Sequence, residues 1–266
     1  MPLMTLIILA LIQGITEFLP VSSSGHLILL PQLTGTQDQG QALDVAVHVG
    51  TLFAVMLYFR SDVARLFSGG FDILRLRKSP DASLAWLMII ATIPVIIAGF
   101  ILKVTGLADQ MRSIIVIGWA MLVFGLILYW FDTRAPVTRK AESWNLRDAI
   151  VMGLWQAVAL IPGTSRSGAT ITGARALGFE RADGARLAML MSIPTIIASG
   201  ALLALDLTGE TRPGLLRDAA IAAGFAFVAA LLALTLMMRL LRAVSFTPYV
   251  IYRVVLGVIL LAIGYS

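Results

Sequence analysis

Gln13-Gly14-Ile15-Thr16-Glu17-Phe18-Leu19-Pro20-Val21-Ser22-Ser23-Ser24-Gly25-His26 sets a carboxylate, an imidazole and three consecutive hydroxyls inside a run of apolar residues. Its neighbours place that run in a bilayer: of 266 residues, 59% are hydrophobic and 13% charged, far beyond the apolar share of a soluble domain. A charged side chain at the bilayer centre costs roughly 2.5 kcal/mol or more, so an ionisable cluster there marks a functional site. The stretch decides the fold because it cannot belong to an ordinary membrane-spanning helix: Pro20 ends one helix, and the polar residues that follow must begin another.

Outward from it, six runs are long enough to cross a hydrocarbon core, which takes roughly 17 to 25 helical residues. They are 43–59, 84–104, 113–131, 186–206, 217–239 and 247–265. Two further apolar segments, 3–33 and 147–178, are interrupted near their middles by Pro, Gly and Ser. The pieces after the breaks, 26–33 and 166–177, rise only about 12 and 18 Å and cannot cross. Both segments are predicted to be re-entrant helix pairs whose irregular tips lie inside the protein, where such backbone is tolerated. The hydrophilic intervals 60–83 and 132–148 are read as loops, too short for a soluble domain. The expected fold is an all-α polytopic membrane domain over residues 1–266, with six transmembrane helices and two re-entrant pairs.

The two breaks are related. Adding 143 to the first set of numbers lands Leu11-Ile12-Gln13 on Leu154-Trp155-Gln156, and Ser22-Ser23-Ser24-Gly25 on Ser165-Arg166-Ser167-Gly168. The chain therefore divides into repeats of about 1–131 and 145–266. Three full spans separate the re-entrant segments, an odd number, so the second repeat is expected to enter from the opposite face. Charge supports this: the face carrying 60–83, 132–148, 179–186 and 239–246 holds thirteen Lys and Arg, against four on the other, Lys103, Arg112, Arg212 and Arg217. By the positive-inside rule the first face is cytoplasmic and both termini are outside. The two tips then converge from opposite sides near the midplane.

The same distribution disposes of other classes. A net charge of +5 would suit nucleic acid, but the basic residues sit in short loops, where orientation in a membrane requires them. No cysteine is present, which excludes disulfides and thiolate zinc sites. No Lys or Arg precedes Arg60, so the apolar start is expected to be retained and not cleaved as a signal peptide.

Gln13 and Glu17 are four apart and share a helix face. The carboxylate can ligate a divalent cation, take a proton, or be a buried structural group. Ser22, Ser23, Ser24 and Gly25 offer hydroxyls and backbone N–H groups suited to a phosphate at a helix N-terminus, or serve as plain caps. His26, beside the hydroxyls, has the chemistry of an acid, base or nucleophile. His48 lies within a span and reads as a packing residue with one hydrogen bond. On the second tip, Pro162-Gly163-Thr164-Ser165-Arg166-Ser167-Gly168 sets a guanidinium between two serines with no acidic residue nearby in sequence. Its planar fork suits bidentate phosphate binding; the structural alternative is an ion pair with Glu17 across the repeat interface. Together the tips fit an oligophosphate, and the apolar helices around them fit a lipid tail.

These motifs resemble those of the bacterial undecaprenyl-diphosphatases, the lipid-carrier recycling enzymes associated with bacitracin resistance, and the resemblance extends over essentially the whole chain. It implies hydrolysis of undecaprenyl diphosphate to undecaprenyl phosphate and inorganic phosphate at the outer side of the cytoplasmic membrane, with Mg²⁺ or Ca²⁺ as cofactor. Residue by residue it implies catalytic roles for Glu17, Ser23, His26 and Arg166. Glu17 and Gln13 become candidate metal ligands, and Gln13, Ser22, Ser24, Gly25, Thr164, Ser165, Ser167 and Gly168 candidate substrate contacts. Gln13 stands where many relatives place Glu, which puts a two-carboxylate metal site in doubt. Whether Ser23, His26 or water attacks phosphorus is left open, and a homodimer is compatible with the pattern. The competing function is a flippase of a polyprenyl phosphate, since inverted repeats with broken helices are a transporter architecture; a small-anion channel would want a continuous polar path.

Overall fold

Backbone groups in hydrocarbon must be satisfied within the chain, so apolar runs become helices. The computed structural model describes residues 2–23, 25–27, 40–206 and 214–266. Six of its helices are long and apolar enough to cross a membrane: α2 (Gln41–Tyr58), α4 (Pro80–Thr105), α5 (Ile114–Arg134), α8 (Arg181–Asp206), α9 (Leu215–Leu240) and α10 (Thr247–Tyr265). Each contains or closely overlaps one of the six expected runs. Their starts follow local chemistry. Ser79 caps α4 by accepting from Ala82 N, with Pro80 in the first turn, and Ser113 caps α5 by accepting from Val116 N.

The two broken segments form shorter pieces: α1 (Leu3–Thr16), α6 (Leu146–Val158) and α7 (Arg166–Ala176). At about 1.5 Å per residue, none reaches across a hydrocarbon core of about 30 Å. Ser24 and residues 28–39, which include most of the piece after the first break, lie outside the described residues, as does Arg212.

One expectation is corrected. Residues 60–74 of the interval read as a loop form a helix, α3 (Arg60–Leu74), folded against α4. Its charged residues lower the mean hydropathy and hide an amphipathic pattern that leaves Phe67, Phe71 and Leu74 exposed. At Gly69 the backbone of α3 lies against that of Asp81, where a Cβ would come within 2.0 Å of the carbonyl oxygen.

Helix packing follows an exchange between the halves. The short α1 packs on α9 and the short α6 on α4; likewise α2 packs on α9 and α8 on α4, while α5 pairs with α10 and α2 with α8. Small residues permit the closest approaches, as in other membrane interfaces. A Cβ at Gly14 of α1 would lie 2.6 Å from Ala229 Cβ of α9, and one at Gly153 of α6 would lie 2.5 Å from Ala91 O of α4.

The 143-residue offset also appears in the turns. Ser22 and Ser165 are both left-handed, with φ of 74° and 70°, and each accepts on Oγ from the backbone N–H three residues on, Gly25 and Gly168. Left-handed backbone at a residue with a side chain costs on the order of 1 to 3 kcal/mol and persists where the surroundings impose it.

Beyond α7, Asp132 at the end of α5 is fully buried and accepts on Oδ1 from Arg175 Nε at 3.1 Å and Arg181 Nε at 2.7 Å, and on Oδ2 from Phe246 N at 3.1 Å. Arg175, with no exposed surface, also donates to the carbonyls of Asp132, Ala135, Pro136 and Phe179. This knot fastens the end of the second broken segment to α5 and to the start of α10. Removing one member of a buried ion pair strands the other, so Asp132→Ala is expected to destabilise the fold by about 3 to 5 kcal/mol. A lowered denaturation midpoint of the detergent-solubilised protein checks this; Asp81→Ala, which breaks a more exposed pair with Arg65, should lower it far less.

Candidate active site

Glu17 follows the last turn of α1, where its amide still bonds Gln13 O, and its side chain turns inward with only 6% of the residue exposed. Gln13 lies one turn earlier on the same face and donates from Nε2 to Glu17 Oε2 at 2.8 Å. The chain then reverses through 17–21, and the left-handed turn at Ser22 brings Ser23 back over the carboxylate. Its hydroxyl donates to the same Oε2 at 2.7 Å.

The other oxygen is taken from the second half of the chain. Arg166 opens α7 and donates from Nη2 to Glu17 Oε1 at 2.5 Å, while its buried Nη1 has no partner among the described residues. Ser167 donates to Leu19 O at 2.9 Å and lies 3.1 Å from Ser165 Oγ. Because the single proton of Ser167 goes to Leu19, Ser165 is the donor of that pair. The two tips are thus tied by one ion pair and one hydroxyl-to-carbonyl bond. Thr164 is fully buried, and its Oγ1 has no partner among the described residues. Gly25 is buried beside Ile117, and Gly168 contacts the Arg253 side chain. Ser24 lies outside the described residues.

The structure therefore brings Gln13, Glu17, Ser23 and Arg166 into direct contact and turns His26 elsewhere. His26 Nδ1 lies 2.7 Å from Ser22 O, so it carries the proton of that bond, which leaves Nε2 to accept from the hydroxyl of Tyr252 on α10. The two rings are stacked, 8° from parallel. The imidazole beside Glu17 is instead His48, whose Nε2 stands 3.9 Å from Oε2. Its Nδ1 donates to Asp44 O one turn back, which aims the other edge at the carboxylate. Sequence reasoning read His48 as packing and missed Tyr252 altogether. A lone histidine inside an apolar helix was the available signal for the first; one exposed-type tyrosine among several apolar neighbours offered none for the second.

Chemically, a hydroxyl whose proton already points at a carboxylate has the arrangement that activates a nucleophile. The guanidinium beside it has the planar fork that suits phosphate oxygens. Six membrane-length helices, with a buried acid and a cation brought together from different halves of the chain, define a polytopic membrane protein with a polar, ionisable centre.

Comparison with known proteins makes the assignment narrower. The family described as bacitracin resistance protein BacA matches residues 6–259. An undecaprenyl-diphosphatase of Dinoroseobacter shibae is 66% identical over all of both chains, and one of Jannaschia sp. is 63% identical over the same extent. One from Saccharophagus degradans is 43% identical over 99% of this chain and 98% of its own. The chain belongs to the BacA family.

Proposed function

We infer that this protein is an undecaprenyl-diphosphatase, releasing inorganic phosphate and undecaprenyl phosphate from undecaprenyl diphosphate and so recycling the lipid carrier for cell-wall synthesis. The observation that carries the reading is the Ser23–Glu17–Arg166 contact: nucleophile, base and phosphate donor joined within hydrogen-bond distance. Full-length similarity to proteins named for this activity supports it.

In the mechanism, Ser23 Oγ attacks the terminal phosphorus as its proton passes to Glu17. The anhydride bond breaks, undecaprenyl phosphate leaves carrying that proton from Glu17, and a phosphoserine forms. Water then attacks that phosphorus, Glu17 taking one of its protons and passing it to Ser23 Oγ as the ester bond breaks, which restores Ser23 and Glu17 and frees inorganic phosphate. Arg166 Nη1 neutralises charge on the transferring group, which is most of what phosphoryl transfer asks of a protein. The N-terminus of α7 adds the positive end of a helix dipole. His26, both of whose ring nitrogens are engaged, orients the Ser22 turn and serves the reaction through it. An apolar groove of about 530 Å³, running from Leu19 along α1, α9 and α10 to Tyr249, suits the prenyl tail.

A divalent cation fits in one way. Among the described residues no three His, Asp or Glu side chains converge, but Gln13 Oε1, buried and unpartnered, adjoins Glu17. Hard cations take one or two carboxylates together with phosphate oxygens, so Glu17 and Gln13 would hold Mg²⁺ or Ca²⁺ jointly with the diphosphate. When bound, the ion would supply further neutralisation of phosphate charge.

The inverted-repeat arrangement, with tips entering from opposite faces and both termini outside, belongs to the same proposal. The exchanged helix packing and the matched Ser22 and Ser165 turns support it, and the Lys and Arg distribution supports termini on the outside of the bacterial cytoplasmic membrane. The test is phosphate release by the purified protein from undecaprenyl or farnesyl diphosphate, with and without Mg²⁺ or Ca²⁺. Stoichiometric phosphate is expected; lipid movement across proteoliposomes without any hydrolysis would make the protein a flippase instead.

A further inference from the structure

Arg253, in the middle of α10, has no exposed surface, and no carboxylate among the described residues pairs with it. Its Nε donates to Met121 O at 3.2 Å, and Nη2 donates to Ala120 O at 3.3 Å and Gly163 O at 3.2 Å. Nη1 is buried, with no partner among the described residues. Arg175, equally buried, shows how the fold treats a guanidinium it needs only for structure: it supplies Asp132. Buried charges are ordinarily paired because desolvation is so costly. Three carbonyl dipoles satisfy the hydrogen bonding of Arg253 in part but leave its charge intact.

The surroundings are built to admit that charge at one place. A Cβ at Gly168 would lie 2.8 Å from Arg253 Nη1, and one at Gly125 would lie 3.3 Å from Arg253 Cβ. The Gly163–Gly168 loop consequently wraps the guanidinium, its first glycine giving a carbonyl and its last giving room. Arg166, on the same loop, has its charge balanced by Glu17. The loop's net positive charge therefore comes from Arg253 and the start of α7.

We propose that Arg253 is a positioning residue that fixes the shape of the Gly163–Gly168 loop and supplies, without touching substrate, the unneutralised positive charge that draws a diphosphate into it. The substrate is the missing counter-ion. This rests on the reading of that loop as the phosphate-binding half of the site.

The experiment compares Arg253→Met with Arg253→Lys in the purified full-length protein, using farnesyl diphosphate as substrate and inorganic diphosphate as competitive inhibitor. The methionine variant is expected to raise both KM and the inhibition constant by about tenfold or more, with kcat within about threefold of wild type. The lysine variant, which keeps the charge and loses the fork, is expected to keep both constants within about threefold. Equal behaviour of the two variants overturns the proposal, as does a loss confined to kcat. If Arg253→Met does not fold, Gly168→Ala displaces Nη1 in its place, and unchanged inhibition by inorganic diphosphate there is equally fatal. A wild-type protein inactive on prenyl diphosphates removes the parent reading and this inference with it, whereas an active wild type matched by Arg253→Met removes this inference alone.

Discussion

Glu17→Gln is expected to lower kcat on a prenyl diphosphate by about 10²- to 10⁴-fold, the usual worth of a positioned general base. The substitution keeps the volume of the side chain and changes what its two terminal atoms can do. Oε2 now accepts from both Ser23 and Gln13, and Oε1 accepts from Arg166. An amide has a single oxygen to offer these three donors and no capacity to hold the serine proton. It also leaves Arg166 without a counter-charge in the free enzyme, so KM is expected to change much less than kcat, or even to fall. Single-turnover phosphate release separates the chemical step from product departure, and a melting curve separates lost catalysis from lost fold. A folded Glu17→Gln variant with kcat within a few fold of wild type would sink the assignment of Glu17 as base.

Much of this centre was legible because membrane residence makes polar residues conspicuous. Glu17, Ser23 and Arg166 stand out in a chain that is 13% charged, and the six long helices follow from apolar length alone. The ion pair between the tips was available from sequence as an alternative, since Arg166 lacked a local acid and Glu17 lacked a local base. What could not be read was partnership at long range. His48 sits 31 residues beyond Glu17 in a helix of ordinary apolar character, and only the packing of α2 beside α1 turns its Nε2 toward the carboxylate. Tyr252 reaches His26 across 226 residues. Helix α3 was missed for a different reason: length and mean hydropathy detect helices that cross a membrane, whereas an amphipathic helix folded against another betrays itself only by periodicity.

Arg166→Ala is expected to cost about 10³-fold or more in kcat/KM, in line with arginines that stabilise transferring phosphoryl groups. Arg166→Lys is expected to recover only a small part of that loss. The reason lies in how the fork is divided. Nη2 is committed to Glu17 Oε1, while the buried Nη1 has no partner among the described residues. One planar group can thereby hold the base in place and meet the phosphate at the same time. A lysine ammonium has the charge but is a single point on a flexible stem, so it can serve the carboxylate or the phosphate with good geometry and not both. If it chooses Glu17, binding of inorganic diphosphate weakens; if it chooses phosphate, Ser23 loses an oriented base and kcat falls. Measuring kcat, KM and the inhibition constant for inorganic diphosphate in the lysine variant identifies which half of the role was lost. A lysine variant matching wild type in all three would show that charge alone suffices, and the two-edged role of the guanidinium would have to be given up.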